Sequence, residues 1–221
     1  MEKRSLTLGT YDTAQNGLWT LARLEVPNPT PQTNLVQIPG RDGPLDLSAA
    51  LTGGEPRYNS RTLKAVLENS DGTRQEREDR IRRMVAELDG YRKPIWLPDD
   101  PDHYLEGRIH VARDYNDLAH ASVTVTATCD PWLYNNAETE YNLTAKATAQ
   151  NATFVNSGRR TVIPTLVVTG GPVELTYGEY AWALSAGTYQ LPDFVLTPGS
   201  HELTYKGAGA VKVTYREAVL L

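Results

Sequence analysis

This sequence has little cysteine, little phenylalanine and no long apolar run. Its 221 residues include a single cysteine, Cys129, which cannot form a disulfide within the chain. No stretch approaches the roughly 18 apolar residues that a membrane-spanning helix needs. Met1–Arg4 is not followed by the apolar segment of a signal peptide, so we expect none. These absences argue against a disulfide-rich secreted protein and against an ordinary membrane protein.

The sequence also lacks an excess of positive charge. Its 22 Lys and Arg residues face 27 Asp and Glu residues, which gives a net charge of −5. A dedicated nucleic-acid binder needs a basic face to neutralise phosphates, and a polybasic membrane-surface protein needs one to bind anionic lipids. Both classes are therefore disfavoured. With 40% hydrophobic and 22% charged residues, the composition is that of an ordinary globular protein.

Recognisable catalytic motifs are missing as well. The sequence has no G-x-S-x-G nucleophile motif, and its four histidines have no metal-ligand spacing. The densest acidic cluster is Asp99, Asp100 and Asp102, where Pro101 favours a tight turn over the alternative of a Ca²⁺ site. We therefore predict no enzyme activity, no catalytic residue, no metal and no cofactor, and we favour a structural or binding role.

What the sequence does contain is mostly β pattern. Arg61–Glu68 places Leu63, Ala65 and Leu67 on one face, and Ser122–Thr128 alternates between apolar and polar residues in the same way. In the second half, glycine and proline turn signals follow one another at roughly 8–11 residues, the spacing of a β-sandwich. These patterns predict a mainly β protein.

One helix is predicted with clear start and stop signals. Thr73 and Glu76 have the spacing of a capping box, and Gly90 stands where a C-terminal cap belongs. An apolar stripe lies between them, formed by Ile81, Met84, Val85 and Leu88. Five arginines in this segment are balanced by five acids, which favours a solvated face over a nucleic-acid contact. We predict an α-helix over about residues 74–89.

Short motifs stand in a definite order along both halves of the chain. The first half has Leu24–Pro29, Val36–Ser48 and Tyr58–Leu63, and then, after the helix, Gly90-Tyr91, Trp96-Leu97, Asp99–Pro101 and Tyr104–Arg108. The second half has Asn156–Gly158, Pro164–Leu166, Leu196–Gly199, Tyr205–Gly207 and Val213–Glu217. Together these motifs resemble the distal tail proteins (Dit) of long-tailed siphophages, a phage tail family.

We therefore predict a mainly β fold of two β-sandwich domains. The N-terminal domain, residues 1–134, carries the single α-helix and corresponds to the ring-forming domain of the family. Residues 135–150 are polar and small, and are predicted to be a linker. Residues 151–221 form the C-terminal domain, for which the resemblance implies a compact sandwich of galectin-like or jelly-roll type.

The most specific motif is a predicted chain reversal. Its glycines supply positive φ angles, and its aspartate can bond to the backbone. Arg41 would then stand at the tip, either free for a partner or as part of a plain hairpin turn. With two residues of the next motif, the candidate assembly or turn site comprises Pro39, Gly40, Arg41, Asp42, Gly43, Tyr58 and Arg61.

The resemblance implies a structural role in a phage tail tip. It implies a homohexameric distal tail hub ring that joins the tail tube to the adsorption apparatus or baseplate and encloses a channel for genomic DNA. The implied partners are further copies of the chain, the tail tube protein, a tail-associated lysin and receptor-binding proteins. The implied location is the virion, after assembly in the cytoplasm of the host bacterium, with no membrane contact and no specific DNA binding.

Three alternatives stay open at this stage. The protein could recognise host glycans through aromatic residues of the second domain, with Tyr177, Tyr180 and Trp182 as candidates. It could be a tail-tube protein, or a β-sandwich glycoside hydrolase or lyase in which two acids meet on folding.

Overall fold

The computed structural model describes residues 4–50, 52, 54–114 and 120–220. The chain divides into two compact units. The N-terminal unit runs to Leu133 and also takes in Leu220, and the C-terminal unit covers Tyr134–Val219.

The N-terminal unit is built on an antiparallel sheet. Its strand order is β2-β1-β7-β8-β9-β6-β3, and β4 and β5 pair only with each other. The elements in chain order are β1 (Thr7–Leu8), β2 (Tyr11–Asp12), α1 (Thr13–Gly17), β3 (Thr20–Glu25), β4 (Leu35–Val36), β5 (Leu45–Asp46), β6 (Arg61–Asn69), α2 (Arg74–Leu88), β7 (Arg92–Leu97), β8 (Asp100–Asp114) and β9 (Ala121–Cys129).

The predicted helix is confirmed as α2, which packs against β8 and β9. Both halves of the capping box form, since Glu76 N donates to Thr73 Oγ1 at 3.3 Å and Thr73 N donates to Glu76 Oε2 at 2.7 Å. Ile81, Met84 and Leu88 are buried, which is the stripe that the apolar spacing indicates.

A second, shorter helix was missed, so the prediction of a single helix needs correction. Asp12 caps α1 by accepting hydrogen bonds from the backbone N–H groups of Ala14 and Gln15 at 2.8 and 2.9 Å. Leu18 ends the helix with a φ of +55°. Five residues are too few to show a helical apolar period, so the sequence pattern could not reveal this helix.

The capping box gives a first stability prediction. Thr73→Ala is expected to destabilise the N-terminal unit by about 1 kcal/mol, because it removes the acceptor of one orphan N–H group at the start of α2. Thr73→Ser keeps that oxygen and is expected to lose much less. Thermal denaturation of the three proteins checks this, and equal melting temperatures for all three would show that the cap contributes nothing.

The C-terminal unit contains only strands among the regular elements of its described residues. In chain order these are β10 (Leu133–Asn135, which begins at the boundary), β11 (Thr139–Thr144), β12 (Gln150–Asn156), β13 (Thr165–Tyr177), β14 (Tyr180–Leu184), β15 (Gly187–Gln190), β16 (Gly199–Tyr215) and β17 (Ala218–Val219). The predicted linker, residues 135–150, contains β11, which pairs with β16 from Thr139 to Thr144. Tyr141 and Leu143 alternate there among polar residues and supply the apolar face of that strand.

Two long strands organise this unit. The first half of β13 pairs with β15 and with the second half of β16, which in turn pairs with β11. The second half of β13 pairs with β14 and with the first half of β16, which in turn pairs with β12. One core draws on strands from both sets, and its members include Leu143, Phe154, Leu166, Leu175, Leu203 and Val213. The mainly β fold class is thus confirmed, and the antiparallel sheets are consistent with β-sandwich domains.

Glycines mark the place where the two halves of β13 and β16 meet. The pairing register shifts between Gly170 and Val173, which is a β-bulge. A Cβ atom on Gly207 would lie 2.3 Å from the Pro172 carbonyl oxygen, and one on Gly209 would lie 2.3 Å from that of Gly171. The two strands therefore approach too closely at this corner for any side chain.

Candidate functional site

The most distinctive surface feature is a hairpin arm, residues 30–59, inserted between the paired strands β3 and β6. Backbone bonds close its base: Gln32 N donates to the Arg57 carbonyl at 2.7 Å, and Asn59 N donates to the Thr30 carbonyl at 2.9 Å. The two ends of the arm are therefore held together where it leaves the N-terminal unit.

The middle of the hairpin arm is the ribbon formed by β4 and β5. Val36 pairs with Leu45, and Asn34 adds two bonds, donating from its N–H to Ser48 Oγ and accepting from Leu47 N, each at 2.8 Å. Hydrogen bonds from Ser48 to the carboxylate of Asp46, the last residue of β5, lower the pKa of Asp46. The ribbon thus has a defined local conformation.

The tip of the hairpin arm is the segment Pro39–Gly43, which contains most of the predicted site residues. Gly40 has a φ of +83° and Gly43 has a φ of +74°, values that favour glycine over residues with a side chain. Arg41 is exposed, and its side chain makes no hydrogen bond or ion pair with the part of the chain that the structure describes. Arg41 and Asp42 therefore present their charges to solvent at the end of the arm.

The hairpin arm also exposes apolar side chains. Four of the nine exposed large apolar residues in the described part of the chain lie on it: Leu35, Val36, Ile38 and Leu47. Leu35 is 55% exposed, although it lies in a strand. An isolated two-stranded ribbon is only marginally stable in water, and grouped apolar exposure marks an interaction surface. These residues have the character of a surface that another chain covers.

Tyr58 fixes the base of the arm by an aromatic contact. Its ring packs edge to face on Trp132, with a centroid distance of 5.7 Å and an interplanar angle of 76°. Trp132 is not among the site residues predicted from the sequence. The register of β6 and β9 pairs Arg61 with Cys129, and continuing it by three residues places Tyr58 opposite Trp132, so strand pairing was the signal that could have found this contact.

Arg61, the last predicted site residue, lies on the buried face of β6 and is only 3% exposed. Its cross-strand neighbour is Cys129, and the following residues of its own face are Leu63 and Ala65. Burial lowers the pKa of the Arg61 guanidinium. The structure thus puts the seven predicted residues in three places, with Pro39–Gly43 at the tip of the arm, Tyr58 at its base and Arg61 inside the sheet.

Cys129 is expected to be chemically inert in the folded protein. Its side chain is 1% exposed, and burial raises the pKa of its thiol to about 11. Because the thiolate is the reactive form, the native protein should not react with a thiol reagent at about pH 8, whereas the unfolded chain should react at its single cysteine. Rapid labelling of native protein would contradict this expectation.

The acidic cluster lies at the start of β8, and its first two carboxylates have partners. Asp99 makes an ion pair with Arg4 at 3.4 Å, and Asp100 shares a hydrogen bond with the His103 ring at 2.8 Å. Within the described residues, no three His, Cys, Asp or Glu side chains are grouped as metal ligands. No helix in the same part of the chain is long and apolar enough to span a membrane.

The aromatic candidates of the C-terminal unit separate into two groups. Tyr180 is 48% exposed and stacks on the half-buried Trp182, with ring centroids 5.9 Å apart and an interplanar angle of 12°. Tyr177 is half-buried, and its hydroxyl donates to the Val195 carbonyl at 2.8 Å. Of these three candidates, Tyr180 is the exposed one, and its stack on Trp182 makes an aromatic surface that solvent can reach.

The two units and their antiparallel sheets define a mainly β protein with the fold of a phage distal tail protein. The chain is similar over 96% of its length to the crystal structure of the SPP1 Dit (gp 19.1) protein, with a TM-score of 0.69 and 16% sequence identity. The match covers 98% of that chain, which is described as a paradigm of the hub adsorption apparatus in phages that infect Gram-positive bacteria. No family model and no curated protein sequence matches this chain. The resemblance deduced from short motifs is thereby confirmed at the level of the fold.

Proposed function

We propose that this protein is a non-enzymatic structural component of a phage tail tip, where it acts as the distal tail hub of the adsorption apparatus. The observation that carries the proposal is the likeness of fold to the SPP1 hub protein, which extends over nearly the whole of both chains. The order of sequence motifs supports the same assignment independently of the structure.

The finer proposal is a ring of six copies that joins the tail tube to the tip proteins and encloses the DNA channel. The ring-forming part is residues 1–134, and residues 151–221 form a compact galectin-like sandwich that offers contacts to the tail-associated lysin and receptor-binding proteins. The exposed hairpin arm supports self-assembly, because a head-to-tail ring needs a surface on each copy that fits a different surface of the next. The net charge of −5 suits a channel that DNA passes without binding.

The native mass of the purified chain tests this proposal. One copy has a mass of 24.5 kDa, so a six-membered ring has a mass of about 147 kDa. Light scattering combined with negative-stain imaging of the same peak is expected to show a six-fold ring with a central hole. Open-ended tubes would favour a tail-tube protein instead, and a monomer that persists at high protein concentration would contradict autonomous ring formation.

A second candidate function, recognition of host glycans, is favoured by one observation. The exposed Tyr180 and the neighbouring Trp182 form an aromatic surface on the strand at one side of their sheet. If this surface binds sugar, the intact protein should bind a glycan array, and Tyr180→Ala should abolish that binding. Absence of binding by the wild-type protein would remove this candidate and leave the tail hub proposal untouched.

A further inference from the structure

Arg61 carries a buried positive charge that the described part of the chain does not neutralise. All three nitrogen groups of its side chain, Nε, Nη1 and Nη2, are buried and have no hydrogen-bond partner. The surrounding face of β6 is apolar at Leu63 and Ala65, and the cross-strand neighbour Cys129 is held as a neutral thiol by burial. A buried guanidinium without a counter-ion is strongly unfavourable, which makes this position exceptional in the fold.

Three other arginines of this chain are less buried than Arg61, and each of them has a carboxylate partner. Arg113 is 28% exposed and pairs with Glu78, and Arg216 is 28% exposed and donates to Glu138 at 2.9 Å. Arg92 is 43% exposed and pairs with both Glu106 and Asp130, the latter at 2.6 Å. Each of these more accessible guanidiniums pairs with a carboxylate, whereas Arg61 meets none among the described residues.

We propose that Arg61 is the receptor for a carboxylate, or a similar oxyanion, that comes from outside the chain. The planar guanidinium offers its N–H groups in a fork that fits two oxygen atoms of one anion. Asp130, the residue that follows Cys129 in the chain, already accepts a bond from Arg92 at 2.6 Å. The anion reaches Arg61 by a local opening of its cover, because the three nitrogen groups are buried. Its source is either a free carboxylate in solution or an acidic side chain of a second copy.

Thermal denaturation of the 221-residue chain at low protein concentration tests whether a free carboxylate in solution binds Arg61. Acetate and chloride are compared at equal ionic strength in the wild type, in Arg61→Met and in Arg57→Met, whose arginine is exposed on the hairpin arm. We expect acetate to raise the melting temperature of the wild type by about 5 °C at saturation. The rise should be lost in Arg61→Met and kept in Arg57→Met. In chloride, Arg61→Met should melt no lower than the wild type, because it removes an unpaired buried charge.

The second source is tested by varying protein concentration in chloride. If a second copy supplies the carboxylate, the melting temperature of the wild type should rise more steeply with protein concentration than that of Arg61→Met, which keeps only the stabilisation from other contacts between copies. If Arg61→Met does not fold, Arg61→Lys replaces it, since lysine keeps the charge, lacks the fork and should respond more weakly to either anion source. Identical responses of the wild type and the Arg61 variants in both series would overturn the proposal. Because the acetate series needs no assembly, its result stands even if the protein forms no ring.

Discussion

Replacing Gly209 by alanine is expected to destabilise the C-terminal unit by about 3 kcal/mol, which lowers the melting temperature of a unit of this size by about 12–24 °C. The added methyl group would lie 2.3 Å from the Gly171 carbonyl oxygen and 2.7 Å from that of Thr169. Both obstacles are backbone atoms of β13, so no change of rotamer relieves the clash. The two long strands would have to separate at the corner where both halves of the unit meet. Differential scanning calorimetry measures the effect directly.

Gly207→Ala should be at least as damaging, because its added Cβ would lie 2.3 Å from the Pro172 carbonyl oxygen and the residue has a φ of +142°. Gly178→Ala is the matched control, since Gly178 has a φ of +57° and open space around its Cβ position. It should cost only about 1 kcal/mol, the penalty of a left-handed conformation. Equal losses in Gly209→Ala and Gly178→Ala would show that the corner yields easily and that its glycines are not required by packing.

The second large effect is expected on assembly rather than on stability. If the proposed ring forms, the combined change Leu35→Ser, Val36→Ser and Ile38→Ser should abolish its particle of about 147 kDa and leave a monomer. These side chains are exposed in the single chain, so their loss removes apolar area from the proposed contact between copies and not from the core. Light scattering at matched protein concentration gives the mass of each protein.

Two controls keep this result interpretable. Ile163→Ser removes an apolar side chain that is 48% exposed in the C-terminal unit, and it should leave the ring intact. Thermal denaturation of the arm variant should resemble that of the monomeric wild type, because surface changes usually alter stability by less than about 0.5 kcal/mol. A ring that forms normally without the three apolar side chains would show that the hairpin arm does not hold the copies together.

Elements whose signal is local were predictable from the sequence. The helix α2 was found at nearly its observed bounds, because capping residues and an apolar stripe of several turns act within one segment. The short helix α1 was missed, since its five residues depend on Asp12 as a cap and on buried contacts of Trp19. The strand β11 was hidden in the predicted linker, because its pairing partner β16 lies some 70 residues away in the chain.

In the candidate site too, some features follow from local sequence and others depend on residues that are distant in the chain. Gly40 and Gly43 follow from their residue type, since a reversal with positive φ angles strongly favours glycine. The buried state of Arg61 was implied by the alternation of β6, which puts residue 61 on the face of Leu63. Whether a carboxylate would meet it depended on which residues stand opposite in β9, and this is not written in the sequence of β6 itself.

The sequence by itself therefore determined the mainly β class, the main helix, the reversal at the tip of the hairpin arm and a likeness to phage distal tail proteins. The class, the helix and the reversal depend on interactions between residues that are close in the chain. The likeness depends on the order of short motifs, which can be read directly from the amino-acid sequence. Only the tertiary structure decided that β4 and β5 pair with no other strand of the described sheets, that a side chain at residues 207 or 209 would meet backbone, and that Arg61 is buried with no counter-ion among the described residues. Each of these depends on long-range strand pairing, which brings together residues that no local pattern relates.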